Sequence, residues 1–266
     1  MDLFIVLFFL IGIFFGFIFT NIGYRLPADK KLLSKSKCDY CNHELSLMER
    51  IPIFSYILLK GKCKHCSQKI SPMYVFFEIF TGIMFALIYV KFMEYDNPYI
   101  NVALALVFVS TLIIIMISDI KYMIIPDKLL IVSSITIILL KIYLGFQSEE
   151  LVNMLDTGYM IIFMFIDASI MFIIMYIIKK IGDIAFKKES LGGGDIKMMT
   201  FVAILLGYKM SIVVIFLASF IALPFSIYNA YKKSEIMLPF GPYLAVVTMF
   251  IYIFNIDFNA IIELIN

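Results

Sequence analysis

The chain has 266 residues, of which 62% are hydrophobic, and its mean hydropathy is +0.98. A soluble globular domain is about 45–50% apolar, so this composition excludes an ordinary water-soluble protein and indicates that a lipid bilayer surrounds much of the surface. The formal net charge is +2, so the overall charge gives no indication of a nucleic-acid partner.

Long apolar segments recur along the chain and predict an all-α polytopic membrane protein with about eight transmembrane helices. The N-terminal segment has Asp2 as its only early charge and has no small-residue cleavage site, so we predict a retained span and not a signal peptide. The sixth and seventh spans are divided only by Gly207, Tyr208 and Lys209. The predicted spans are residues 3–24, 73–93, 100–118, 126–145, 158–178, 197–210, 211–230 and 240–258.

The basic residues are distributed unevenly between the predicted connections. With the N-terminus outside, 19 of the 22 Lys and Arg residues lie in cytosolic segments, and only Lys91, Lys141 and Lys209 lie outside. The positive-inside rule therefore predicts that both termini are outside. The predicted organisation is a first transmembrane helix at 1–24, a cytosolic loop at 25–72 and a seven-helix membrane domain at 73–266.

The predicted cytosolic loop carries two C-x-x-C pairs separated by 21 residues, Cys38 with Cys41 and Cys63 with Cys66. This spacing is typical of zinc ribbons, in which two tight turns complete a tetrahedral S4 site. Structural disulfides are rare in the cytosol, and zinc would help to fold a polar loop that is too small to build its own core. The alternative is four free or redox-active thiols. Because four thiolates leave no open position, the predicted zinc has a structural role.

Two aspartates are predicted to lie at the cytosolic membrane edge. Asp119 ends the third span, and Asp195 follows Gly192, Gly193 and Gly194 just before the sixth. Ionisable groups at membrane depth are costly and are candidates for function. Glycine permits positive φ and close backbone approach, which could let an extended substrate lie beside the Asp195 carboxylate. The alternative is a flexible linker that ends in a helix-capping aspartate.

Two carboxylates that lie close together share a proton, because both cannot ionise comfortably. The ionised carboxylate can take a proton from water while the other protonates a peptide carbonyl oxygen, so that the peptide is hydrolysed without a covalent intermediate. The sequence contains no competing G-x-S-x-G or H-E-x-x-H motif. Its two histidines, His43 and His65, are predicted to be solvated turn residues beside the cysteines.

Seven motifs follow one another over nearly the whole chain: 16–21, 25–27, the two C-x-x-C pairs, 70–78, Asp119 with Pro126 and Asp127, 192–195, and 238–243. Together they resemble those of the type IV prepilin peptidases, the bifunctional leader peptidases and N-methyltransferases of bacterial pilus, secretion and competence systems. The family often has a second acid two residues after the first catalytic aspartate, where this chain has Lys121. This departure leaves the pair of aspartates intact.

The resemblance implies that Asp119 and Asp195 are catalytic and that the substrates are type IV prepilins or pseudopilins, cut at the cytosolic face of the bacterial cytoplasmic membrane. It also implies methylation of the new N-terminus with S-adenosylmethionine, for which the sequence itself shows no motif. No oligomeric state is indicated. The residues expected around the catalytic pair or in a substrate loop are Gly192, Gly193, Gly194, Glu78 and Lys197.

Two other acids lie within predicted spans. Glu78, about one turn inside the second span, matches a family position, which favours a functional or network role over snorkelling to the interface. Asp167 matches no motif and is expected to pair with a polar group between helices. A transporter or channel would use Asp119, Asp167 and Asp195 as an ion path, but two of these three are predicted at one face. A non-catalytic zinc-loop factor for pilus assembly is the other alternative.

Overall fold

The computed structural model describes residues 2–32, 37–38, 40–46, 48–146, 152–187, 189–232 and 238–265. These residues form helices and loops but no β-strand, which confirms the predicted all-α fold. The helices are α1 (Asp2–Arg25), α2 (Phe54–Leu58), α3 (Met73–Phe92), α4 (Pro98–Tyr122), α5 (Asp127–Phe146), α6 (Val152–Phe186), α7 (Gly193–Tyr231), α8 (Gly241–Ile253) and α9 (Phe258–Ile265), with a 3₁₀ turn at Met48–Arg50.

Within the described part of the chain, six helices are long and apolar enough to cross a membrane: α1, α3, α4, α5, α6 and α7. The last predicted span is shorter than expected, because α8 contains only 13 residues. It ends in a Schellman motif, in which Asn255 has a φ of 48° and the N–H of Ile256 donates to Ile251 O at 3.1 Å. The chain then turns into α9, so hydropathy alone overestimated the length of this span.

Helix α7 contains 39 residues and is interrupted at Gly207, which has a φ of 77° and a ψ of 162°. A straight helix of this length would measure about 58 Å, nearly twice the thickness of a hydrocarbon core of about 30 Å. Gly207 lies at the boundary that the sequence predicts between the sixth and seventh spans. The two halves of α7 therefore correspond to these two predicted spans.

Asp167 of α6 lies beside this interruption. Its carboxylate accepts a hydrogen bond from the backbone of Tyr208, and a Cβ atom at Gly207 would lie 3.4 Å from Asp167 Oδ2. The first N–H groups of a helical segment have no acceptor within the helix. The Asp167 carboxylate is the acceptor for one such N–H group, at the start of the second half of α7. This contact explains the presence of Asp167 within a membrane-spanning helix without an ion path.

The chain divides into two compact units, Met1–Phe92 and Met93–Asn266. In the first unit, α1 packs closely against α3. A Cβ atom at Gly12 would lie 2.7 Å from Gly82 Cα, and one at Gly16 would lie 2.7 Å from Glu78 Cα. The G-x-x-x-G motif is therefore used for packing between two helices of the same chain.

In the second unit, α4 is the central helix. In its most apolar 18-residue window 67% of the residues are buried, compared with 17–28% for α5, α6 and α7. The ring of Phe108 on α4 contacts Phe201 of α7 and Tyr252 of α8, with centroid distances of 5.4 Å and 4.9 Å. The C-terminal end of this buried helix carries Asp119.

Candidate functional site

Asp119 is buried near the C-terminal end of α4 and contacts the start of α8. Its Oδ2 atom accepts a hydrogen bond of 3.0 Å from the backbone N–H of Gly241, the first residue of α8. The N-terminus of a helix carries a partial positive charge that stabilises an anionic side chain. A Cβ atom at Gly241 would lie only 2.7 Å from Oδ2, so this contact requires glycine.

The chain immediately after Asp119 folds back on the end of α4. The N–H of Met123, which has a φ of 54°, donates to Asp119 O at 2.8 Å. The Ser118 hydroxyl donates to Ile124 O. These bonds satisfy groups that a helix end would otherwise leave unpaired, and they hold the backbone on both sides of the Asp119 carboxylate.

Asp195 is the third residue of α7 and lies in the same compact unit as Asp119. Its N–H donates to Gly192 O at 3.2 Å, and its carboxylate accepts a hydrogen bond from the Gly192 backbone. The two aspartates are close enough for Asp119 to act electrostatically on Asp195. The helix begins at Gly193 and not near residue 197 as predicted, so Asp195 occupies the first turn instead of the capping position.

The three glycines before Asp195 do not have the positive φ that glycine permits. Among the described glycines, only Gly61 and Gly207 have positive φ. Close approach explains Gly194, where a Cβ atom would lie 3.1 Å from Ile125 Cβ. At Gly193 a Cβ atom would meet nothing within 4 Å, so this position is open.

Lys197 is paired with an acid of another motif. Its Nζ lies 2.8 Å and 2.7 Å from the two carboxylate oxygens of Asp127, and both side chains are about half exposed. An exposed ion pair contributes only about 0–1 kcal/mol. The pair links the N-terminal ends of α5 and α7, and the expected contribution of Lys197 to the substrate site stays a prediction.

Glu78 lies in the first compact unit and supports the loop that precedes it. The side chain is buried, and its Oε2 accepts a hydrogen bond of 2.7 Å from the backbone N–H of Ile53. Ile53 has a φ of 59°, a strained conformation for a β-branched residue. This contact connects Glu78 to the preceding loop, and the functional or network role expected for Glu78 stays a prediction.

The four cysteines are free thiols that converge on one point. The Sγ atoms of Cys38 and Cys66 are 3.8 Å apart, and those of Cys41 and Cys63 are 4.0 Å apart. A tetrahedral site with Zn–S bonds of about 2.3 Å has sulfur–sulfur edges of about 3.8 Å. The cluster therefore fits a metal ion, and backbone N–H groups of Cys66 and His65 lower the pKa of Cys63 to about 7.

Replacing Cys63 with serine is expected to abolish metal binding by the four-cysteine cluster, because three thiolates cannot complete the S4 site. Metal analysis of protein purified without chelators tests this. Ser67→Ala, in the same turn but outside the cluster, is the control and should retain the metal. Equal metal content in the Cys63→Ser protein and the control would contradict the prediction.

Comparison with known proteins finds one matching family model within each compact unit. The model of the bacterial peptidase A24 N-terminal domain matches residues 10–92, and the model of the type IV leader peptidase family matches residues 106–227. The chain belongs to the type IV leader peptidase family. The second match contains Asp119 and Asp195, and the first contains the four cysteines and Glu78.

Curated relatives of this leader peptidase are each called prepilin leader peptidase/N-methyltransferase. The relative from Bacillus subtilis (strain 168) is 28% identical over 204 residues, which cover 76% of this chain and 73% of the relative. The relative from Dichelobacter nodosus is 26% identical over 218 residues, covering 81% and 69%, and that from Myxococcus xanthus (strain DK1622) is 26% identical over 218 residues, covering 82% and 60%. No solved structure matches the chain.

Gly241 is the residue of this leader peptidase that sequence reasoning did not assign to the site. It lies between Phe240 and Pro242 in one of the family-like motifs, but nothing in the motif indicates that its N–H reaches a carboxylate 122 residues away in the sequence. A proline directly after a glycine is a signal for a helix start. That signal could have indicated an N–H group directed at an acid.

Proposed function

We propose that this leader peptidase is a membrane aspartyl endopeptidase that removes the leader peptide of type IV prepilins or pseudopilins, with Asp119 and Asp195 as its catalytic pair. The observation that carries the proposal is the placement of two carboxylates at helix ends of one compact unit. Asp119 is held by the N-terminus of α8, and Asp195 lies in the first turn of α7 within its electrostatic reach.

The proposed reaction is general acid–base hydrolysis without a covalent intermediate. One carboxylate takes a proton from water, which attacks the scissile carbonyl carbon, while the other protonates the carbonyl oxygen. The C–N bond of the resulting gem-diol then breaks as the newly protonated carboxyl group gives its proton to the leaving nitrogen and the other carboxylate takes a hydroxyl proton back. The Gly241 N–H holds Oδ2 of Asp119, so Oδ1 is the oxygen assigned to the water or to the shared proton. The open backbone around Gly193 is assigned to the extended leader junction, with Gly192 and Gly194 on either side.

The proposed location is the cytosolic edge of the bacterial cytoplasmic membrane. With both termini outside, 19 of the 22 Lys and Arg residues are cytosolic. A basic leader stays on the same side by the same rule, so enzyme and scissile bond meet without translocation of the substrate. We keep the division into a first span at 1–24, a loop at 25–72 and a catalytic domain at 73–266 as part of this proposal.

Zinc binding and methylation also belong to the proposal. The four cysteines hold a structural zinc ion, which the sulfur geometry supports. The protein also methylates the new N-terminus with S-adenosylmethionine, as the names of the curated relatives suggest. We assign no residue to the methyl transfer.

The chemical outcome is tested with purified protein, a candidate prepilin and S-adenosylmethionine. Mass spectrometry of the product is expected to find the mature chain with one added methyl group on its N-terminal amine. Omitting S-adenosylmethionine should give the same cleavage without the methyl group. Mature chains that remain unmethylated in its presence would remove methylation from the proposal, and a substrate that stays intact would remove cleavage.

The topology is tested with single added cysteines and a membrane-impermeant thiol reagent on intact cells. Tyr99→Cys, in a predicted outside connection, is expected to gain one label per chain, and Ser190→Cys, in a predicted cytosolic connection, should gain none. Both positions are exposed. The original cysteines can stay in place because their loop is predicted to be cytosolic. Glu149, another predicted outside position, lies outside the described residues. Labelling of position 190 would overturn the orientation.

A further inference from the structure

The two histidines of the chain come together beside the four-cysteine cluster. The ring centroids of His43 and His65 are 3.4 Å apart with an interplanar angle of 34°. One ligand atom from each histidine and one carboxylate oxygen of Glu49 lie within 4.8 Å of one another. The sequence predicts solvated turn residues at both positions, but the structure makes them part of one three-residue group.

We propose that His43, His65 and Glu49 form a second divalent-metal site in the cysteine loop, separate from the four-cysteine site and with one coordination position open. Two histidines and one glutamate are a donor set of zinc sites that keep a position for water or another ligand. Bonds of about 2.0–2.1 Å to a tetrahedral metal place ligand atoms about 3.3–3.4 Å apart. The ligand atoms lie within 4.8 Å of one another, so each separation has to shorten by at most about 1.4 Å (4.8 − 3.4) to reach this geometry.

Backbone hydrogen bonds close the two turns that carry the histidines. The N–H of Cys38 donates to His43 O at 2.9 Å, and the matching N–H of Cys63 donates to Gln68 O at 2.9 Å in the second turn. Each C-x-x-C turn thus places one histidine next to the sulfurs. The Glu49 Oε2 atom accepts a hydrogen bond of 2.8 Å from the N–H of Ser46, which orients the carboxylate.

One neighbouring charge opposes cation binding. Lys64 acts electrostatically on Glu49, so the alternative interpretation is that Glu49 is only the ion partner of Lys64. The two interpretations differ in the number of metal ions bound, both with Lys64 present and with it replaced. A metal site gains affinity when a competing positive charge is lost, whereas a group of ion-paired side chains binds no second metal in either protein.

The test is a cobalt titration of the full-length, detergent-solubilised protein. We expect two Co²⁺ ions per chain, one with sulfur charge-transfer absorption and one with only the weak absorption of nitrogen and oxygen ligands. His65→Ala and Glu49→Gln should each lose the second ion and keep the sulfur band, which also reports that the loop is folded. Lys64→Ala should keep both ions. The proposal is overturned if the unmodified protein binds one ion, or if His65→Ala still binds two. It does not depend on the peptidase activity.

Discussion

Replacing either Asp119 or Asp195 with asparagine is expected to lower kcat for prepilin cleavage by about 10⁴-fold, the upper end of what general acid–base groups contribute. Asparagine has the shape of aspartate but cannot carry the shared proton, so each variant removes one half of the pair. The Asp119→Asn side chain can still accept the Gly241 N–H through its amide oxygen, so the loss should concern chemistry and not folding. The measurement is single-turnover cleavage of a purified prepilin.

Asp167→Asn provides a matched control for the catalytic pair. This residue is also an aspartate within a membrane-spanning helix, but its contact is with the backbone of Tyr208 in the second half of α7, and an amide oxygen can accept the same hydrogen bond. We expect cleavage close to that of the unmodified protein. Substantial processing by either Asp119→Asn or Asp195→Asn would exclude the two-aspartate mechanism, and normal processing by the Asp195→Asn variant would favour a non-catalytic assembly factor.

The parts of the fold that follow from hydropathy were predictable from the sequence. The span that ends at Asp119 could be recognised as an apolar run, because the bilayer sets the length of a span. The interruption of α7 coincides with a glycine in the sequence, because glycine tolerates positive φ. The convergence of four sulfurs was also predictable, since two C-x-x-C turns with this spacing favour one tetrahedral site.

Contacts between distant segments could not be derived in this way. The Gly241 N–H to Asp119 bond joins residues 122 positions apart, and the Glu78 to Ile53 bond joins residues 25 apart. Each depends on how helices pack, which hydropathy does not specify. The early start of α7 at Gly193 was missed because glycine is a poor helix former. Here the helix extends beyond the apolar run.

Replacing Gly241 with alanine is expected to lower kcat by about 10²-fold, because a misplacement of catalytic groups by about 1 Å has an effect of that size. The added Cβ atom would lie 2.7 Å from Asp119 Oδ2 and 3.1 Å from Cγ, so the carboxylate must move. Alanine has a higher helix propensity than glycine, so the start of α8 should form equally well. The measurement is the same single-turnover assay, with thermal unfolding to compare stability.

Gly158→Ala separates the contact at Gly241 from a general effect of glycine replacement. Gly158 lies in α6, and a Cβ atom there would meet nothing within 4 Å, so this variant should cleave at the normal rate. A Gly241→Ala protein that is stable, inserted and slow would place the N-terminus of α8 in the catalytic machinery as the group that orients Asp119. If Gly241→Ala instead matches Gly158→Ala in rate, the hydrogen bond to Asp119 contributes nothing to catalysis, and the catalytic pair must be oriented by the turns at Met123 and Gly192 alone.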